Sequence, residues 1–325
     1  MILALVEHDR DRLSALSLQT LTFGRRLAKE ADDRLEAILI GDEGGRPLAD
    51  GLAAYGVSTV HVVQHAGMDE YAPEAWAESM VQLLSAVSPQ VVIAAGSERG
   101  HEVMAHVAAR TELPLAANCT AAEPGDPFRV TRQRWGGSLL EEAHVVGSVK
   151  LLTIAPHAVQ AEPSTGVGHV SVTPFIPTLA DKDFRVRVTD RVEKTGGKGS
   201  LTEARVVVGG GRGVGSAEGF GALEELARLL GGIVGCSRAV TSAGWRPHSD
   251  QIGQTGVRIA PDLYIACGIS GATQHIVGCK GAKHILVINI DAEAPILARA
   301  DYAVIGDVRQ VVPALVAEIR KAIKP

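Results

Sequence analysis

The sequence predicts an α/β protein of two doubly wound, Rossmann-like parallel-sheet domains, the first carrying an antiparallel β addition. Three observations lead there. Short apolar runs alternate with amphipathic helical stretches along most of the 325 residues, which is the pattern of βαβ units. The alternation breaks and restarts near residue 195, and a chain of this length exceeds what one hydrophobic core usually organises. In the second half the runs are apolar at nearly every position, as in strands covered on both faces.

Residues 1–194 form the first expected domain. Strands are predicted at 2–6, 36–40, 58–63 and 90–95, and helices at 15–31, 46–55, 74–86 and 100–111. From Phe128 to Pro156 the pattern shifts to β-rich segments around Trp135-Gly-Gly137, which read as the antiparallel addition. The stretch from Glu162 to Lys198 is loop-rich, and Lys194-Thr-Gly-Gly-Lys-Gly-Ser200 has the composition of a linker.

Residues 195–325 restart the alternation. A strand at 204–208 runs into the glycine-rich turn 209–215, followed by a helix at 217–230 and a strand at 233–235. A polar loop, 237–256, precedes a strand at 263–266, a helix beginning after Ser270-Gly271, and a strand at 284–290. A strand at 302–305 and a helix at 308–323 close the domain.

Composition removes several function classes. Apolar residues make up 46% and charged residues 21%, the balance of a soluble globular chain. A formal charge of −5 offers no basic face for nucleic acid. No segment approaches ~20 uninterrupted apolar residues, so the protein is not expected to be membrane-embedded. The start, Met1 to His8, reads as a strand without a basic n-region or cleavage site, so a cytoplasmic location is expected. The four cysteines form no Cys-x-x-Cys pair, and Cys279 with His275 and His284 is too small a set for a closed metal site.

Chemistry concentrates after the strands of the second domain. Arg212 lies in a glycine-rich turn that fits neither Gly-x-Gly-x-x-Gly nor the P-loop spacing, yet guanidinium beside such a turn suits a phosphate. Ser237 and Arg238 follow a buried strand directly. The turn around Ile252, Gly253, Gln254 and Thr255 supplies hydrogen-bonding side chains and glycines. Ser270 and Gly271 open a helix whose first N–H groups face the strand end, with Ala272, Thr273, Gln274 and His275 next. Asn289, and then Asp307 with Val308, end the last two strands. Each taken alone has an ordinary structural reading as turn, cap or core residue. Together they follow successive strands of one sheet, so their loops converge on one edge.

These motifs, Gly210-Gly-Arg-Gly213, Ser237-Arg238, Gly253-Gln-Thr-Gly256 and the run from Pro261 to His275, resemble the α subunit of electron-transfer flavoproteins. The resemblance extends over essentially the whole length, the opening Leu3-Ala-Leu-Val-Glu-His8 included. It implies FAD in the second domain and a heterodimer with a β subunit that carries AMP or a second FAD. It also implies electron donors such as acyl-CoA dehydrogenases or other flavin dehydrogenases, with a membrane quinone oxidoreductase or another acceptor downstream. By resemblance, Arg212 and the Ser270–Gly271 backbone hold the pyrophosphate, while Asn289, Asp307 and Val308 border the adenosine. Gln254 and Thr255 sit by the flavin, Arg238 over its ring face, and His275 near the N1–C2 oxygen edge. Negative charge gathers over N1 and that oxygen on one-electron reduction, so a fixed cation or donor there raises the potential of that step. Each ~1.4 kcal/mol of such stabilisation is tenfold in the equilibrium.

The chain departs from the family pattern at Cys267, Cys279, Thr273 and Val257, and Cys279 is expected to perturb packing or invite oxidation. A redox carrier rather than an enzyme with its own organic substrate is therefore the leading expectation. The alternatives are an electron-bifurcating variant with a second flavin in the β chain, a non-redox adenine-nucleotide-binding module, and a self-contained flavoenzyme.

Overall fold

In the computed structural model, which describes residues 1–9, 12–41, 45–68, 70–164, 169–190 and 200–323, the apolar run Ile2–Val6 forms β1 and is buried throughout. A two-residue ribbon follows, with β2 (His8–Asp9) antiparallel to β3 (Arg12–Leu13). The first unit then alternates α1 (Ala15–Glu30), β4 (Leu35–Ile40), α2 (Gly45–Leu52), β5 (Val57–Val63), α3 (Pro73–Val87), β6 (Val91–Ala95) and α4 (Glu98–Thr111). It finishes with five strands, β7 (Leu115–Glu123), β8 (Phe128–Arg134), β9 (Leu139–Val145), β10 (Lys150–Ile154) and β11 (Ser171–Phe175).

The order across this sheet is β11-β5-β4-β1-β6-β10-β7-β8-β9. Only the β7–β8 and β8–β9 pairings of this sheet are antiparallel among the described residues. Alternate residues of β1 feed two cores. Ile2, Ala4 and Val6 pack with Leu21, Phe23 and Leu27 of α1, while Leu3 and Leu5 pack with Trp76, Met80 and Leu83 of α3. Helices thus cover both faces, which is why the central strands tolerate no polar alternation.

Three parts of this sheet differ from the sequence expectation. The antiparallel addition comprises β8 and β9 alone, because Lys150–Ile154 returns as β10, a parallel strand set between β6 and β7. Its Leu151-Leu-Thr-Ile154 is buried at every position, the mark of a central parallel strand. β7 is alanine-rich and was not anticipated; it is held by β10 on one side and β8 on the other. β11 lies within the stretch expected to be loop, at the sheet edge, where Pro174 removes no needed ladder bond.

β1 sends its successors to opposite sides, β4 to one and β6 to the other, so the crevice between β1 and β6 is the switch point of the first sheet. Glu7 fills its upper end. Its buried carboxylate accepts from Ser97 Oγ at 2.5 Å, and the same Ser97 oxygen caps α4 through Gly100 N. Burial raises the Glu7 pKa, opposed by the Ser97 hydrogen bond and the Arg99 charge.

The chain divides into two compact units, Met1–Val192 and Glu193–Pro325. Of the linker expected at 194–200, only Ser200 belongs to the described residues. The second unit is built from β12 (Val206–Gly210), α5 (Phe220–Leu229), β13 (Ile233–Cys236), α6 (Arg238–Ser242), β14 (Leu263–Cys267), α7 (Thr273–Cys279), β15 (His284–Asn289), β16 (Tyr302–Ile305) and α8 (Val308–Ile323). All five strands are parallel, in the order β13-β12-β14-β15-β16. Phe220, Leu226, Val312 and Val316 of α5 and α8 cover one face, and Ile252, Cys279 and Ile296 cover the other. The switch point of this sheet lies between β12 and β14.

Candidate functional site

The loops after β12 and β14 touch backbone to backbone at that switch point. Gly211 N donates to the Cys267 carbonyl at 2.8 Å, and Gly213 N donates to the Gly268 carbonyl at 3.1 Å. The approach leaves no room for side chains. A Cβ on Gly268, whose φ is +63°, would stand 2.6 Å from Gly213 Cα. β12 itself runs to Gly210, so the turn begins two residues later than the glycine run suggests.

Donors above this contact are left unspent. Arg212 and Arg238 are exposed and have no acidic partner among the described residues, whereas nearby Arg246 is held by Glu224 and Asp250. The N–H groups of residues 270–274 donate to no backbone carbonyl among the described residues. Two guanidinium groups without acidic partners and a run of such amides at one sheet edge are the donors a polyanion calls for.

The loop after β13 and the turn beyond it build the next wall. Ser237 N donates to the Gly210 carbonyl at 2.9 Å, and Ile252 N donates to the Cys236 carbonyl at 2.8 Å. Gln254 N donates to the Gln274 carbonyl at 2.8 Å, joining the 251–256 turn to α7. Gln254, Thr255, Ser270, Ala272, Thr273 and Gln274 are exposed around a buried floor of Ile252, Gly253, Gly271 and His275. Sequence reasoning missed Gln251, which is buried; its Nε2 donates to Thr255 Oγ1 at 3.0 Å, and its Oε1 accepts from Thr241 at 2.7 Å. Thr255 therefore keeps its own proton to give away. The signal was present: a glutamine beside two glycine-flanked polar residues.

His275 is buried, with Nε2 2.8 Å from the hydroxyl of Tyr264, a second residue not singled out in the sequence. Burial pushes its pKa down to about 4, with a smaller upward pull from the Ile252 carbonyl. It is therefore a neutral imidazole at physiological pH, not a cation. Its Nδ1 is buried and meets no partner in hydrogen-bonding geometry.

The far rim serves the loops more than the opening. Asn289 donates from Nδ2 to the Ile269 carbonyl at 2.9 Å and accepts from Asp291 N at 3.1 Å, tying the loops after β14 and β15 together. Asp307 caps α8 by accepting from Arg309 N at 2.9 Å. It also pairs with the Arg309 guanidinium, which with that backbone bond holds its carboxyl below the usual range. The Val308 side chain is buried in the core, which leaves its backbone for any ligand.

Cys267 and Cys279 are buried, and burial pushes both thiols up to about 12. Neither is poised for oxidation, contrary to the expectation for Cys279, because the thiolate is the reactive form. Their small side chains fill the two faces of the sheet.

Residues 200–280 match the family model described as the electron transfer flavoprotein FAD-binding domain, and residues 2–177 match the electron transfer flavoprotein domain. The electron transfer flavoprotein subunit alpha of Thermoanaerobacterium thermosaccharolyticum is 32% identical over 318 residues, 97% of this chain and 96% of that protein. Its counterpart in Mycobacterium leprae is 36% identical over 315 residues, covering 96% of each. Protein FixB of Clostridium saccharobutylicum is 35% identical over 324 residues, 98% of this chain and 95% of that one. Matched in both units by the family's models and along nearly its whole length by its members, the chain belongs to the electron transfer flavoprotein α-subunit family.

Proposed function

We propose that the second unit binds one FAD at the C-terminal edge of its sheet, and that the chain works with a β subunit as an electron carrier. The observation that supports this most is the pairing of unspent donors with a buried floor. Arg212, Arg238 and the N–H groups of residues 270–274 stand at the edge whose floor is Ile252, Gly253, Gly271 and His275. FAD has a pyrophosphate for such donors and a flat aromatic ring for such a floor.

In this reading Arg212 and the 270–274 amides hold the pyrophosphate. Ser237, Arg238, Gln254, Thr255 and His275 serve the ring, and the loops after Asn289 and Ile305 border the adenosine. Bound flavin supplies one- and two-electron transfer. The protein's part is to fix charges and donors around it. Arg238 gives a cation where negative charge gathers, Thr255 gives a neutral donor, and His275 an uncharged ring in the floor. The first unit serves as the interface with the β subunit, whose own site takes AMP or a second FAD. Donors are acyl-CoA dehydrogenases or other flavin dehydrogenases in the cytoplasm, and the acceptor is a membrane quinone oxidoreductase or an equivalent.

The test is a visible spectrum, cofactor analysis and reductive titration of this chain co-purified with its β subunit. One FAD per heterodimer, with AMP in the other site, supports the simple carrier. Two flavins, one reduced directly by NADH, would reassign the pair as a bifurcating variant. Adenine nucleotide without flavin would overturn the redox reading.

A further inference from the structure

Tyr264 lies on β14 with its ring on the face that α7 covers, and it is fully buried. The room for its hydroxyl is made by Gly209 on the neighbouring strand, where a Cβ would come within 2.3 Å of that oxygen. The hydroxyl stands 2.8 Å from His275 Nε2, the rings tilted by 33° with centroids 6.1 Å apart. Among the described residues the imidazole is the hydrogen-bond partner recorded for this hydroxyl. Cys279 packs in the same core with a protonated thiol, while Cys236 and Cys267 lie on the opposite face of the sheet.

A neutral imidazole carries one proton on one of two nitrogens, and the tyrosine hydroxyl carries one proton that needs an acceptor. If Nε2 held the ring proton, it would donate to the hydroxyl oxygen. The hydroxyl proton would then be stranded in the core, and the Nδ1 lone pair would be stranded too. If Nδ1 holds the proton, the hydroxyl donates to Nε2 and only the Nδ1–H remains to be met. Each arrangement leaves one donor to be met, but the first strands a lone pair besides, and only the second has an acceptor at hand in the Ile252 carbonyl, so the second wins. Nδ1–H then points into the seam between α7 and the 251–256 turn, towards the Ile252 carbonyl.

We propose that Tyr264 is a positioning residue: by donating its proton to His275 Nε2 it holds the imidazole in the Nδ1–H form, with that proton turned towards the Ile252 carbonyl, and so fixes the ring in the floor of the flavin site. This rests on the reading that the site binds a flavin. The consequence is a ring that neither titrates nor rotates its proton away across the ordinary histidine range. The potential of the bound flavin should therefore carry no inflection from His275 between about pH 5 and 8.

The experiment is long-range proton–nitrogen NMR on the heterodimer labelled with ¹⁵N-histidine, comparing wild type with Tyr264→Phe. Flavin content and midpoint potential against pH are measured on the same samples. The expected wild-type spectrum has His275 protonated at Nδ1 and bare at Nε2. In Tyr264→Phe the preference for that form falls on the order of tenfold, the worth of one charge-neutral buried hydrogen bond. Flavin stays bound and its potential shifts. An Nε2–H form in the wild type would overturn the proposal, as would an unchanged tautomer and potential in the variant. The tautomer is readable in flavin-free protein as well, and without the variant should it fail to fold. Absence of flavin from the wild type would thus sink the cofactor reading without obscuring this one.

Discussion

Replacing Asn289 by alanine separates two roles that a residue at this rim can have. If its amide contacts the ligand, the substitution weakens binding and leaves the empty protein as stable as before. The geometry points the other way, since both ends of the amide are used by loop backbone. Alanine would leave the buried Ile269 carbonyl without its 2.9 Å donor, at a cost of about 1–3 kcal/mol for an unmade buried acceptor. Asp291 N is in an exposed stretch and turns to water, adding up to about 1 kcal/mol. The sum is about 1–4 kcal/mol, a large fraction of the stability of an ordinary domain. At roughly 4 °C per kcal/mol for a unit of this size, Tm should fall by about 10 °C. The assay is thermal unfolding of the heterodimer stripped of cofactor, beside flavin affinity measured by fluorescence quenching. A variant that unfolds with the wild type when empty, but binds flavin weakly, would refute the argument.

Other consequences are simpler to read. Arg212→Ala should weaken flavin binding at least about tenfold, the worth of a hydrogen bond to a charged group, with Tm of the empty protein unchanged because the side chain has no partner to lose. Arg238→Ala should leave flavin bound but lower the potential of the first electron; unchanged potentials would remove Arg238 from the ring. For His275 the unfolded ring binds a proton that the folded ring refuses, its pKa lying at about 4 instead of 6.5. That contribution to stability is present above the unfolded value and lost as pH falls from about 6.5 to 4. His275→Gln should flatten this stretch of the stability–pH curve, and an equally steep curve would show that another group carries it. All four cysteines should resist iodoacetamide in the native heterodimer and react once it is denatured, as mass spectrometry would report.

Central strands were legible because burial on both faces writes a continuous apolar run, as in Ile2–Val6 and Leu263–Cys267. Where β10 goes was not legible. Nothing local in Lys150–Ile154 says that it will leave the β8–β9 hairpin and enter the sheet two strands away, because that choice belongs to non-local pairing. β7 hid behind alanines that have no strand preference, and β11 behind a proline that an edge permits. At the candidate site, glycine spacing and the arginines were visible as types, since close backbone approach and free cations leave a local mark. The direction of a buried amide leaves none. Gln251 and Tyr264 act through side chains folded inward, and the two bonds by which Asn289 ties the loops are as little marked in the sequence.

Both sheets have a parallel centre with a switch point, yet the two switch points are filled differently. In the first, Glu7 already sits at the switch point with its carboxylate on the Ser97 hydroxyl at the head of α4. A phosphate arriving there would find its place taken by an acid of the chain's own, one that burial keeps reluctant to ionise. The first unit thus keeps an acid of its own at the switch point, where the second keeps donors without acidic partners among the described residues.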